Sequence, residues 1–223
     1  MKRGAGRGAY TAERASALSG VPWSTVHHWA RKKILVPSIS STKVKLWSYT
    51  DLMGLRTIHW LRHRKLGIEG WDIPASTMPA VRRALTMLGD LDLELWSEQG
   101  GPSVRVDPSG KIFIVTDAGP ETVHGERPLD PDMFDLIRPF ETAVARAPDL
   151  AKPRPHLRIV PGKLSGSPHI VHSRIETIAI AALAGRGFDS QRIEQLYPFV
   201  QPVALREAVD LEKQLGRNLR AAA

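Results

Sequence analysis

The stretch Gly20-Val21-Pro22-Trp23-Ser24-Thr25-Val26-His27-His28-Trp29-Ala30-Arg31-Lys32-Lys33 decides how this chain is read. Proline is tolerated in a first helical turn, and from Pro22 to Lys33 the residues Val26, Trp29 and Ala30 share one helical face. The opposite face presents Ser24, Thr25, His28, Arg31 and Lys32, a polar and basic set. Upstream, Thr11 is placed to cap a short helix that carries Ala12, Ala15 and Leu18 at helical spacing. Ser19-Gly20-Val21 separates the two helices, and Gly20 can take the positive φ that a sharp turn needs. Helix, tight glycine turn, second helix with a basic outer face: the pattern predicts a helix-turn-helix.

Working outward, residues 36–47 read as a hairpin, with Val44 and Leu46 alternating with Lys43, Lys45 and Trp47. Its connection, Ser40-Ser41-Thr42, is small and polar, as suits a wing whose tip approaches phosphates. Thr50 is expected to cap a third helix, with Asp51 at its positive end and Leu52, Leu55, Ile58 and Leu61 on its buried side. Charge follows the same division. Residues 1–66 hold 13 Lys+Arg against Glu13 and Asp51, a balance of +11. Residues 67–151 carry −8 and residues 152–223 carry +5. A basic head on an acidic body points toward a nucleic-acid partner once the basic residues fall on such a motif.

Residues 10–66 resemble the winged helix-turn-helix head of MerR-type regulators. Gly20 to Trp29 follows that family's Gly-Val-x-x-Ser-Thr-Leu-Arg-Tyr-Trp pattern, and Ile34-Leu35-Val36-Pro37 follows its Leu-Leu-x-Pro exit. Lys45-Leu46-Trp47-Ser48-Tyr49-Thr50-Asp51-Leu52 follows the family's Arg-Leu-Tyr-Ser-x-x-Asp-Leu. Two positions depart: the family's phosphate-contacting arginine of the recognition helix is His27 here, and its wing arginine is Lys45. The resemblance implies DNA contacts from Ser24, Thr25, His28 and Arg31 to base edges and from Lys32, Lys43 and Lys45 to phosphates. A neutral His27 would add little charge to that set.

The middle departs from that family. Residues 75–89 predict a helix with Val81, Leu85 and Leu88 on one side, but no heptad run continues into a dimerising coiled coil. Strands are expected over Leu91–Trp96 and Val104–Val115, turning at Asp107-Pro108-Ser109-Gly110. Residues 128–139 are turn-rich, with an amphipathic patch at Met133, Phe134, Leu136 and Ile137. The spacings Asp90-x-Asp92-x-Glu94 and Asp130-Pro-Asp132 fit a hard-cation site or a solvated strand face equally well. No metal site is expected, and His169 and His172 fall on opposite faces of a strand. Trp71, Trp96 and Phe113 are candidates for an effector pocket or for core.

A Pro-rich joint at residues 147–155 precedes the last block. There, strands are expected at Leu157–Val160 and His169–His172, and a helix with Ile175, Ile178, Ala179, Ala182 and Leu183 on its apolar face. Two more helices open at Asp189-Ser190, carrying Ile193 and Leu196, and at Pro202, carrying Val203, Leu205, Val209, Leu211 and Leu215. Residues 155–215 resemble the small winged-helix-like domain of VapB-like antitoxins. The resemblance lies in Gly166-x-Pro168-x-Ile170, Ser173-Arg174-Ile175, Gly187-Phe188, Leu196-Tyr197-Pro198 and Ala208. His172 stands where that family usually has glycine. The resemblance implies a PIN-like ribonuclease partner with an acidic, magnesium-dependent site. Arg154, Arg158, Arg174, Arg217 and Arg220 are the candidates to meet it, although Arg174 serves equally as a brace at the edge of the core.

Composition sets the outer bounds. The 223 residues include no cysteine, which excludes a disulfide scaffold, a thiolate metal site and a thiol nucleophile. The glycines at 4, 6 and 8 miss the dinucleotide-loop spacing, and no hydrolase or metalloprotease motif occurs, so no enzyme and no cofactor are expected. The basic start leads into no apolar run, and no membrane-length apolar segment occurs, so a cytoplasmic protein is expected. The expected architecture is mainly α with small β hairpins (α+β). It comprises a basic arm at 1–9, a winged helix-turn-helix at 10–89, an acidic β-containing insert at 90–151 and an antitoxin-like domain at 152–223. The expected function is a homodimeric, operator-binding antitoxin of a type II toxin–antitoxin system. The alternative is a stand-alone MerR-like regulator responding to a small effector.

Overall fold

The computed structural model describes residues 8–63, 65–66, 72–90, 96–97, 101–102, 104–106, 111–116, 119–122, 140–141 and 146–221. It is helix-rich, with short antiparallel strand pairs. In the head, strand β1 (Tyr10–Thr11) leads into helices α1 (Ala12–Ser19) and α2 (Trp23–Arg31), strand β2 (Leu46–Trp47) and helix α3 (Tyr49–Arg62). A strand pair, β3 (Lys65–Leu66) with β4 (Asp72–Ile73), connects to α4 (Met78–Asp90). Then follow β5 (Trp96–Ser97), β6 (Gly101–Pro102), β7 (Val104–Val106), β8 (Ile112–Thr116), β9 (Gly119–Thr122), β10 (Phe140–Glu141) and β11 (Arg146–Ala147). The last block contains β12 (Leu157–Arg158), β13 (His169–Ile170), α5 (Thr177–Gly185), α6 (Ser190–Leu196) and α7 (Pro202–Ala221).

The helix-turn-helix forms as its caps direct. The Thr11 hydroxyl accepts from the Arg14 amide at 3.2 Å, satisfying an orphan donor of α1. Gly20 closes that helix at φ 74°. A β-carbon there would also meet the Ala147 methyl at 3.0 Å, so the turn requires glycine for both conformation and space. Val26, Trp29 and Ala30 are buried, as their spacing predicts. Helix α2 ends at Arg31 rather than Lys33, because Lys33 swings to φ 52° and the Ile34 amide turns back to the Trp29 carbonyl at 2.9 Å.

The third helix corrects the predicted cap. Ser48, not Thr50, is the N-cap: its hydroxyl accepts from the Asp51 amide at 3.1 Å while the Asp51 carboxylate accepts from the Ser48 amide at 2.8 Å. This reciprocal capping box satisfies two orphan donors at once. The hairpin over 36–47 is also reduced. A single antiparallel bridge joins Ser40 and Leu46, and β2 pairs instead with β1 (Tyr10 opposite Trp47). That pairing turns Trp47 into the core, fully buried, and leaves Val44 62% exposed, the reverse of the expected alternation.

In the middle, β7 and β8 pair in antiparallel register, Val106 opposite Ile112, on either side of the predicted turn, and β9 continues the sheet. Asp90 ends helix α4 rather than starting a strand, and of the predicted strand 91–96 only Trp96 lies in a described strand. Residues 107–110, Asp92, Glu94 and the patch at 133–137 lie outside the described residues. Phe113 is buried.

The C-terminal block follows the predicted order, with β12 and β13 paired (Leu157 opposite Ile170). Helix α5 corrects the predicted face: Thr177 and Ile180 are its buried residues, whereas Ile178, Ala179 and Ala182 are exposed and Ile175 precedes the helix. An almost uniformly apolar segment offers no periodicity from which to choose a side. Leu196 is exposed as well, while Ile193, Leu205, Leu211 and Leu215 pack inside.

Head and C-terminal block share one apolar cluster, running from Leu18, Val26 and Leu55 to Leu157, Ile180 and Leu211. Polar contacts join them as well. The Tyr10 hydroxyl donates to the Gly166 carbonyl at 2.8 Å, and the Ala9 amide donates to Ser165 at 2.9 Å. Asn218 on α7 donates to the Ala17 carbonyl at 3.0 Å. Arg14 on α1 forms a two-pronged ion pair with Glu212 on α7 at 2.6 and 2.7 Å. At the centre, the fully buried Arg56 donates to the carbonyls of Leu18 (2.9 Å) and Pro148 (2.5 Å). Burial pulls its pKa down to about 10, so the guanidinium remains a cation at neutral pH. Among the described residues, no helix is long and apolar enough to cross a membrane.

Candidate nucleic-acid interface

Helix α2 presents its sequence-predicted residues outward. Ser24, His28, Arg31 and Lys32 are exposed and Thr25 is half-buried, while Val26, Trp29 and Ala30 lock the opposite face into the core. A helix held by three buried side chains keeps its outer residues in a fixed pattern, which is what reading a groove requires. The wing is a loop closed by the mutual Ser40–Leu46 backbone bonds at 3.1 and 2.8 Å. The Ser40 hydroxyl donates to the Val44 carbonyl at 2.7 Å inside that loop. Lys43 is exposed at its tip and Lys45 half-buried on its return.

Asp51 braces the wing from below. One carboxylate oxygen accepts from the Ser38 amide, the Ser38 hydroxyl and the Ser48 amide, each at 2.8 Å. The same residue that caps α3 therefore pins the segment entering the wing, giving the Ser-x-x-Asp spacing a second purpose. Sequence reasoning found Asp51 as a helix-end charge and missed this role. The only available signal was the serine thirteen residues upstream, which carries no periodicity.

His27 sits between the two elements. Its pKa is lowered, first by burial and then by the neighbouring Lys45 and Arg31 cations, with Glu13 opposing. The ring is therefore neutral at physiological pH, so positive charge on this surface comes from Arg31, Lys32, Lys43 and Lys45. Trp23, absent from the predicted contacts, stands at the start of α2 with its indole edge-on to the His27 ring at 4.3 Å.

The second predicted set of residues is divided. Arg154 is engaged within the chain by Asp210 and Gln214, at 2.7 and 2.6 Å. Arg158 donates to the carbonyls of Pro155 and Leu157. Arg174, Arg217 and Arg220 are exposed. With Lys213, the last two form a stripe at i, i+4 and i+7 along α7, well separated in sequence from the wing lysines. Within the same block, α5, α6 and α7 line a half-open cavity of about 480 Å³ in which Ile180, Phe188, Ile193, Leu205 and Val209 meet charged residues that include Asp189, Glu194, Arg206 and Asp210. Among the described residues, no three histidine, aspartate or glutamate side chains cluster as a metal site would require.

A two-helix motif with a basic outer face, followed by a braced lysine-bearing loop, is consistent with a helix-turn-helix DNA-binding head. Residues 10–71 match the family described as MerR HTH family regulatory protein, which gives the chain a MerR-like head of the kind used in transcription regulation. No curated protein and no solved structure matches the chain.

Proposed function

We propose that the protein is an autoregulating antitoxin: a homodimer whose MerR-like head binds its own operator and whose C-terminal block binds and blocks a PIN-like ribonuclease, both in the cytoplasm. The observation that carries the DNA half is the exposed basic face of α2 beside the lysine-bearing wing. A twofold dimer would set two such helices about 34–36 Å apart, in successive major grooves. The ribonuclease half rests on the resemblance of residues 155–215 to VapB-like antitoxins. One structural feature supports it: His172, at that family's glycine position, takes φ 57°, the conformation glycine favours. Arg217 and Arg220, exposed beside Lys213 on α7, suit an acidic nuclease site, since guanidinium groups grip carboxylates with paired hydrogen bonds.

The test is co-expression of the full chain with the product of its neighbouring reading frame, together with a retardation assay on the intervening DNA. Retention of a ribonuclease on the tagged chain, suppression of its activity and specific retardation of that DNA support the proposal. Specific DNA binding with no ribonuclease retained would reject the antitoxin half. The second reading, a stand-alone regulator, is favoured by the cavity between α5, α6 and α7, whose size suits a small molecule. A ligand that fills the cavity and shifts DNA affinity would establish that reading.

A further inference from the structure

The chain leaves several large apolar side chains exposed in its head, between Trp23 and Val44. Trp23 is 44% exposed, Val36 46%, Ile39 39% and Val44 62%. They lie on the recognition helix, its exit and the wing, among Arg31, Lys32, Lys43 and Lys45. An apolar surface within so many cations does not suit an apolar protein partner, because binding would strip water from the charges without neutralising them. It suits a polyanion that carries apolar groups between its charges. Duplex DNA has this chemistry: in its major groove each thymine displays a 5-methyl group beside the base-edge acceptors.

Trp23 is the residue positioned to use that group. It occupies the first turn of α2, and the N-terminal residues of a recognition helix are those that meet base edges. Its indole is held edge-on by the His27 ring at 4.3 Å, so the contact costs little side-chain entropy. We propose that Trp23, held by His27, reads a thymine methyl, so that the recognised duplex carries an A·T pair opposite the start of α2. This inference rests on the DNA-binding reading of the head and deepens it by naming the base-edge group the helix selects.

The probe is a duplex selected by the full chain from a randomised pool, then resynthesised with deoxyuridine in place of each thymine in turn. Deoxyuridine keeps every pairing group and removes only the methyl. Burial of one methyl is worth roughly fourfold in affinity, so the wild-type chain is expected to bind about fourfold more weakly at one position per half-site. Trp23→Ala should be indifferent to that exchange, bind the thymine duplex about as weakly as the wild type binds a duplex carrying deoxyuridine at that position in both half-sites, and keep the wild-type salt dependence. His27→Ala, which releases the indole, should show an intermediate response. Equal wild-type affinity for the thymine and deoxyuridine duplexes would overturn this inference alone, and so would a Trp23→Ala protein that remains sensitive to the methyl. Failure to enrich any duplex would overturn the DNA-binding reading and this inference with it.

Discussion

Replacing Glu212 by alanine tests how firmly the head is fixed to the C-terminal block. Both oxygens of this carboxylate are engaged by Arg14 from α1, at 2.6 and 2.7 Å, and one also accepts from the Thr177 hydroxyl on α5. The side chains are only 19% and 10% exposed, so water screens the pair weakly. Removing one partner of a buried pair costs roughly 3–5 kcal/mol, because the other charge is left desolvated. Arg14 retains some solvent access, which places the expected loss near the lower end, about 3 kcal/mol. With a urea dependence of about 3 kcal/mol/M for a chain of this size, the midpoint should fall by roughly 1 M. The paired variant Arg14→Met/Glu212→Leu should recover most of the loss, since it leaves no buried charge behind. Urea titration of the wild type, Arg14→Met, Glu212→Leu and the double variant, followed by tryptophan fluorescence and circular dichroism, closes the cycle. A loss below about 1 kcal/mol in Glu212→Ala, or additive single variants, would refute the argument that this pair joins the two parts.

Other outcomes follow from single residues. His59 is buried and neither ring nitrogen finds a hydrogen-bond partner among the described residues, and burial, followed by the nearby His63, lowers its pKa to about 4. The unfolded chain binds this proton more readily, so the contribution is complete above about pH 6.5 and is lost as pH falls toward 4, by roughly 3 kcal/mol at most. His59→Phe should flatten that part of the pH–stability curve without loss at neutral pH. An unchanged slope in chemical denaturation between pH 4.5 and 6.5 would contradict this. His172 is exposed at φ 57°, so His172→Gly should gain about 0.5–1 kcal/mol and His172→Val should lose more than 1 kcal/mol. Thermal midpoints of the two variants, moving in opposite directions by a few degrees, are the check.

Much of the head is legible in the sequence because its determinants are local. The Thr11 cap, the Gly20 turn and the Val26, Trp29 and Ala30 face lie within one or two helical turns of the structure they specify. The Ser48 cap is harder to read because Thr50-Asp51, two residues on, offers the same local chemistry. The wing is misread for another reason: its returning strand pairs with Tyr10–Thr11, some 35 residues upstream, so the alternation between Lys43 and Trp47 does not report which side is buried. Still less visible are the contacts joining the two ends, such as Arg14 to Glu212 and Tyr10 to Gly166, which no local pattern encodes. Among the interface residues, the charged ones are legible by position on a helical wheel. Trp23 is not, because an aromatic residue beside a buried stripe reads as core until its exposure is known.

The salt dependence of duplex binding by the full chain and by its Lys43→Ala/Lys45→Ala variant tests DNA binding by the head most directly. Each phosphate contact contributes about 0.9 to the slope of log affinity against log salt concentration. Binding through the recognition helix and wing predicts a steep wild-type slope, and one shallower by about 1.8 in the variant, with the same preferred sequence. An identical slope and affinity in the two proteins would show that the wing does not touch the duplex.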